Sequence, residues 1–182
     1  MAERVVIDAS VGLAQLLDET GTPAARDAFG RWTRSGTQLL VPSHFWIEVL
    51  NSLARRHRRP ARDVVEDLMN LDRLGLKTVE PDRPLLLLAL DRMVGAGLSS
   101  YDAIYLALAL ATDSKLATFD RRLATAAGEL GLLIGSDPPH RLADSPAAYG
   151  HATEDYTGWA HSAIVGAHIA DIRRRVLAGT FD

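Results

Sequence analysis

Four acidic side chains, Asp8, Glu48, Asp102 and Asp120, stand at positions from which each could do chemistry. Asp8 directly follows the apolar run Val5–Val6–Ile7, and Asp120 lies two residues beyond Thr118 at the end of "KLAT". Asp102 heads the apolar stretch "AIYLALAL", and Glu48 is embedded in "HFWIEVLNSL". Taken singly, each has a structural explanation. Asp8 and Asp120 can cap the helices that follow them. Asp102 stands three residues from Ser99, as in a capping box, and complements a helix dipole. Glu48 can reach solvent from a helix edge. Taken together they pose a problem, because converging carboxylates repel one another and lose solvation, which raises their pKa values and costs stability. A divalent cation removes that objection. Hard oxygen ligands, without His or Cys at ligand spacing, favour Mg²⁺ or Mn²⁺ over zinc. Such an ion lowers the pKa of a bound water and neutralises charge on a phosphate. Spacing alone does not establish that the four converge.

The elements that must position these groups read as alternating strands and helices. Strand-type runs are "RVVI" (4–7), "QLLV" (38–41), "LKTV" (76–79), "KLAT" (115–118) and "LLI" (132–134). Helical patterns fill about 10–18, 23–34, 44–57, 61–73, 83–95, 100–112 and 120–129, with stops at Gly75, Gly95, Gly97 and Gly131. Strands joined by helix-length crossovers predict an α/β fold: a parallel sheet of about five strands flanked by helices. Ligands of such sheets sit at the carboxyl ends of the strands, where Asp8 and Asp120 fall. The neighbours of Glu48 (Phe45, Trp46, Ile47, Val49 and Leu50) predict a helix buried around most of its circumference.

After Ile134 the character changes. Residues 135–156 are rich in Pro, Gly, Ser and His without periodicity, and 159–179 regain helical character with the basic run Arg173–Arg175. The expected organisation is a compact domain over 1–135 and a C-terminal extension over 136–182, a linker plus a helix of unassigned function.

Bulk properties narrow the classes. The chain of 182 residues has a net charge of −3, so nucleic acid could be held only through a local basic patch. No cysteine is present, which removes disulfides, thiolate metal sites and cysteine nucleophiles. The opening "MAERVVIDAS" lacks a basic segment followed by an apolar run, and no uncharged stretch reaches membrane-spanning length, so a cytoplasmic, membrane-free protein is expected. "ARRHRRPAR" (54–62) concentrates arginines, of which Arg55, Arg56, Arg58 and Arg59 are candidates for RNA backbone contacts. Arg121 and Arg122 follow Asp120 directly. Tyr101 and Tyr105 could stack bases, although Tyr at helical spacing is more often core. The histidines read as surface residues rather than ligands.

Four separated pieces carry a family resemblance: "VVIDASVGLAQLL" (5–17), "PSHFWIEVLNSLAR" (42–55), "LSSYDAIYLALALATDSKLATFDRRLATAA" (98–127) and "GLLI" (131–134). In this order the chain resembles the PIN-domain family and, within it, the VapC-type toxins of bacterial toxin–antitoxin pairs. The resemblance implies a PIN-like three-layer sandwich and a Mg²⁺- or Mn²⁺-dependent endoribonuclease. Such an enzyme hydrolyses phosphodiester bonds in single-stranded regions of tRNA, rRNA or mRNA by metal-activated water, leaving a 3′-hydroxyl and a 5′-phosphate. It implies that Asp8, Glu48, Asp102 and Asp120 form the catalytic, metal-binding pocket, with Asp8 and Asp102 the most direct ligands. Ser10 and Thr118 would support them, with Asn51 a weaker candidate one turn beyond Glu48. A cognate antitoxin and a homodimer are the implied partners.

Three other readings compete. A receiver domain needs an aspartate pair after the first strand and a lysine at the last, and the only lysines, Lys77 and Lys115, open strands. A haloacid-dehalogenase phosphatase needs Asp-x-Asp where this chain has "DAS". A catalytically silent PIN-fold module that binds RNA or protein remains the alternative, and the presence of all four acids favours activity.

Overall fold

A computed structural model describes residues 3–18 and 21–135. The linker and helix expected beyond residue 135 therefore lie outside the described residues. Five strands, β1 (Arg4–Ile7), β2 (Gln38–Pro42), β3 (Lys77–Val79), β4 (Lys115–Thr118) and β5 (Gly131–Leu133), form one sheet in the order β3-β2-β1-β4-β5, with every pairing parallel. Val5, Val6 and Ile7 are all fully buried. Successive strand residues point to opposite faces, so burial of all three requires cover on both faces of the sheet. That cover comes from α1 (Ala9–Leu16), α2 (Thr22–Ser35), α3 (His44–Asn51), α4 (Ala61–Asp72), α5 (Arg83–Ala96), α6 (Ser100–Thr112) and α7 (Arg121–Ala127). Among the described residues no single helix is long and apolar enough to cross a membrane.

The expected elements are present, with local corrections. The helix expected over 44–57 is α-helical only to Asn51 and continues as a π-helical turn over Ser52–Arg56. Gly95 lies inside α5 rather than stopping it, and Gly97 is the cap. Gly131 opens β5, while Gly128 ends α7. Helix α3 is buried on one side only: Phe45 and Val49 are buried, whereas Ile47 is 67% and Leu50 46% exposed. Apolar composition overstated its burial because no neighbouring element covers that face among the described residues.

Strand order reverses direction at β1, whose neighbours are β2 and β4. A crevice opens outside the strand ends at such a switch point. Two close packings fix helices against one another and against the sheet. Phe45 of α3 lies so close over Gly12 of α1 that an added Cβ would sit 2.6 Å from its ring. At Gly131 a Cβ would sit 2.3 Å from the backbone oxygen of Ala124, so β5 and α7 meet without room for a side chain. The Trp46 indole donates to Thr78 Oγ1 at 2.9 Å, tying α3 to β3.

Backbone cannot yield as a side chain can. Gly131→Ala is therefore expected to destabilise the fold by about 1–3 kcal/mol, read as a lower midpoint in thermal or urea unfolding followed by circular dichroism.

Candidate functional site

The register carries Asp8 to the centre of the switch point. Ile7 pairs with Ala117, the Asp8 backbone N–H donates to the Ala117 carbonyl at 3.0 Å, and Thr118 lies alongside. Asp8 occupies the N-cap position of α1 yet makes no side-chain cap bond. Its Oδ2 instead accepts from the Ser10 hydroxyl at 2.6 Å and the Thr118 hydroxyl at 2.7 Å. Those hydroxyls are themselves held by backbone: Phe119 N–H donates to Ser10 Oγ at 3.2 Å, and Asp120 N–H to Thr118 Oγ1 at 2.9 Å. Ser10 and Thr118, expected as supporting groups, thus both touch Asp8. Burial pushes the Asp8 carboxyl up to about 6, against the two hydroxyl bonds, and the charge of Asp102 raises it further.

Asp102 sits in the first turn of α6 behind its cap, Ser99. The Ser99 hydroxyl accepts from the Asp102 N–H at 3.1 Å and donates to Asp102 Oδ2 at 2.8 Å. The capping arrangement expected from sequence is therefore real, and it fixes the carboxylate as well as the helix. Burial raises the Asp102 pKa; Ser99 opposes the shift, the Asp120 charge adds to it and Arg122 lowers it. Asp120 caps α7, with Oδ1 accepting from Arg122 N–H at 2.7 Å and Leu123 N–H at 3.3 Å.

Glu48 projects from the second turn of α3 with its side chain 18% exposed. Burial pushes it up to about 8, with the charges of Asp8 and Asp102 adding to the shift and a hydrogen bond from Tyr105 opposing it. The four acids thus share one electrostatic field. They do not share one tight coordination sphere: among the described residues no group of three His, Asp or Glu side chains is drawn together closely enough to hold an ion.

Sequence reasoning missed two residues here. The fully buried Tyr105 hydroxyl donates to Glu48 Oε2 at 2.5 Å across 57 residues of chain. His44, read as a surface residue, has its side chain only 11% exposed, with Nε2 3.7 Å from Glu48 Oε2 and its ring against Tyr105 and Tyr101. Burial holds the imidazole down at about 4, so it is neutral. The i,i+4 spacing of His44 and Glu48 was the available signal.

The other candidates separate. Asn51 is exposed and makes no bond to the carboxylates. Arg59 is engaged by Asp67, Nε to Oδ2 at 2.6 Å, whereas Arg55, Arg56 and Arg58 are exposed where α3 turns toward α4. The Arg122 guanidinium donates to the Gly97 carbonyl, bracing α7 against the loop before Ser99, and Arg121 is exposed.

Raised pKa values make this site a pH-dependent liability in metal-free protein. Unfolded carboxylates deprotonate near their ordinary values, but folded Asp8 and Glu48 hold protons to about 6 and about 8. Between those limits the native state binds more protons than the unfolded state, so stability falls as pH rises. The thermal midpoint of chelator-treated protein is expected to drop from pH 5 to pH 8, and Asp8→Asn to be the more stable chain at pH 8.

A model of the PIN domain matches residues 5–129. Among solved structures the chain is similar to PAE2754 from Pyrobaculum aerophilum, at 25% identity and a TM-score of 0.51, covering 69% of this chain and 86% of that one. It is also similar in fold to VapC20 of Mycobacterium tuberculosis, a toxin that cleaves the sarcin–ricin loop, at 18% identity and a TM-score of 0.56, covering 74% and 99%. No curated protein matches the chain. The matched span takes in most of the chain and all four acids, and the chain belongs to the PIN-domain family.

Proposed function

We propose that the protein is a divalent-cation-dependent endoribonuclease, the toxin of a toxin–antitoxin pair. The observation that carries this reading is the field shared by Asp8, Glu48, Asp102 and Asp120 at the carboxyl ends of β1 and β4. Partly buried carboxylates that repel one another at a cost to stability call for a counter-charge, and the donor set, all hard oxygens, fits Mg²⁺ or Mn²⁺. Such an ion keeps several waters and takes only one or two protein carboxylates together with substrate phosphate. A closed cage of protein ligands is therefore not required.

In this reading Asp8 and Asp102 hold the ion, and Glu48 and Asp120 orient water or a second ion. When bound, the cation supplies a water of lowered pKa and charge to offset that building on the phosphate. The chain's own residues do the rest. Ser10, Thr118 and Ser99 fix the carboxylates, Arg121 and the exposed Arg55, Arg56 and Arg58 offer phosphate contacts, and the RNA strand crosses the switch-point crevice. Water attacks phosphorus in line, the P–O3′ bond breaks, and the leaving oxygen takes the proton, which leaves a 5′-phosphate and a 3′-hydroxyl. A cognate antitoxin would act by covering the acidic pocket. The cytoplasm, where such RNA is found, is the proposed location.

Single-stranded RNA should be cut with Mg²⁺ or Mn²⁺ and not with chelator. Asp8→Asn and Asp102→Asn should each lower the rate by on the order of 100-fold or more. Equal cleavage by wild type and both variants would instead support the non-cutting alternative, with the observed activity a contaminant.

A homodimer is the proposed assembly. Leu86, Leu90 and Val94 are 46%, 40% and 53% exposed and recur every four residues along one face of α5. Leu90→Glu should shift full-length protein toward the monomer in sedimentation or light scattering while leaving its circular dichroism spectrum unchanged.

A further inference from the structure

Tyr105 is the only polar side chain between Ala103 and Ala111 of α6. Ala103 and every residue from Tyr105 to Ala109 are buried, and Tyr105 itself is 0% exposed. Phenylalanine would fill the same space without a polar atom to satisfy, and a buried hydroxyl without a partner is costly. The hydroxyl finds its partner in Glu48, on another helix, at 2.5 Å.

A pattern across the site gives that bond a meaning. Asp8 takes hydroxyl bonds from Ser10 and Thr118, and Asp102 takes one from Ser99. Glu48 takes one from Tyr105. In each case the hydroxyl bonds fall on a single oxygen, Oδ2 of either aspartate or Oε2 of Glu48, and the second oxygen receives none of them. Glu48 has the longest and most rotatable of these side chains and lies on α3, whose outer face is exposed. It is therefore the acid with most need of an external anchor. The donor comes from α6, the helix whose first turn carries Asp102, so one rigid, buried element fixes two of the acids. His44 lies against the same oxygen, with its Nε2 at 3.7 Å from Oε2 and its ring centroid 4.7 Å from that of Tyr105.

We infer that Tyr105 is a positioning residue that holds Glu48 by one oxygen and presents the other to a divalent cation or its water. The inference rests on the metal-dependent reading above. Partners of this kind that orient metal-binding groups alter metal affinity by about 10–100-fold when removed.

The test is Mn²⁺ binding to the full-length chain, without RNA, by calorimetry or electron paramagnetic resonance. Tyr105→Phe should weaken Mn²⁺ affinity by about tenfold. Its effect should not add to that of Glu48→Gln, since both remove the same constraint. Unchanged affinity in Tyr105→Phe, with affinity lost in Asp8→Asn, overturns the positioning role and leaves the metal site standing. Additive losses also overturn it, because they place the tyrosine's effect elsewhere. No Mn²⁺ binding by wild type overturns the metal-dependent reading itself. A measurement that spares the core covers the case in which the variant does not fold. In 3-fluorotyrosine-labelled wild type, the Tyr105 fluorine resonance, assigned by eliminating Tyr101, Tyr149 and Tyr156, should move with Mg²⁺, and should not move in Asp8→Asn. A resonance silent to Mg²⁺ in a wild type that binds Mn²⁺ overturns the role.

Discussion

The Asp8 carboxylate ends the central strand inside the protein, and one of its oxygens accepts the hydroxyls of Ser10 and Thr118. Because Thr118 lies on β4, this single oxygen joins the two strands between which the sheet reverses its order. The hydrogen bonds continue outward through backbone: Ser10 receives the Phe119 N–H, and Thr118 receives the N–H of Asp120, which in turn caps α7. A buried acid is affordable only if its bonds are made, and making them fixes the loop that carries Asp120. The site and the fold at this edge are therefore one network.

Charge sets the second constraint. Asp8, Glu48 and Asp102 are each pushed toward their protonated forms, first by burial and then by the charge of a neighbouring acid. A sequence selected for stability alone would have little reason to keep Asp8, Glu48 and Asp102 together, since replacing a buried charge by a well-packed neutral group is often neutral or stabilising. The hydroxyl given to each of the three holds it in place without neutralising it. Such an arrangement suits a counter-charge arriving from outside the chain, and it underlies the proposed cation-dependent chemistry.

Much of this was legible from particular residues. The apolar runs ending at Ile7 and Thr118 have the short, continuous form of buried parallel strands, and β1 and β4 coincide with them. Ser99 and Asp102 carry a capping spacing that needs only local backbone geometry, and it is present. Helix α3 was misjudged because apolar content does not say which face a neighbour will cover, and Ile47 and Leu50 face outward. His44 was misread for the same reason, and Tyr105, correctly read as more often core, was not seen to bond Glu48: neither residue type has a fixed role until its neighbours are known. Arg59 was grouped with its basic neighbours, yet Asp67, eight residues on and across a turn, engages it.

What the sequence by itself determined is what depends on local spacing: strand and helix positions, the parallel class of the sheet, the caps of α6 and α7, and the four acids as candidates. Family membership followed from the same separated motifs. The tertiary structure alone decided which oxygen of each acid is occupied, which acids feel one another, and that a tyrosine 57 residues from Glu48 reaches its carboxylate. Those outcomes depend on register between β1 and β4 and on how α3 and α6 pack. Hydrogen bonds and carboxylate repulsion act over a few ångströms of space, and sequence separation carries no information about distances of that kind.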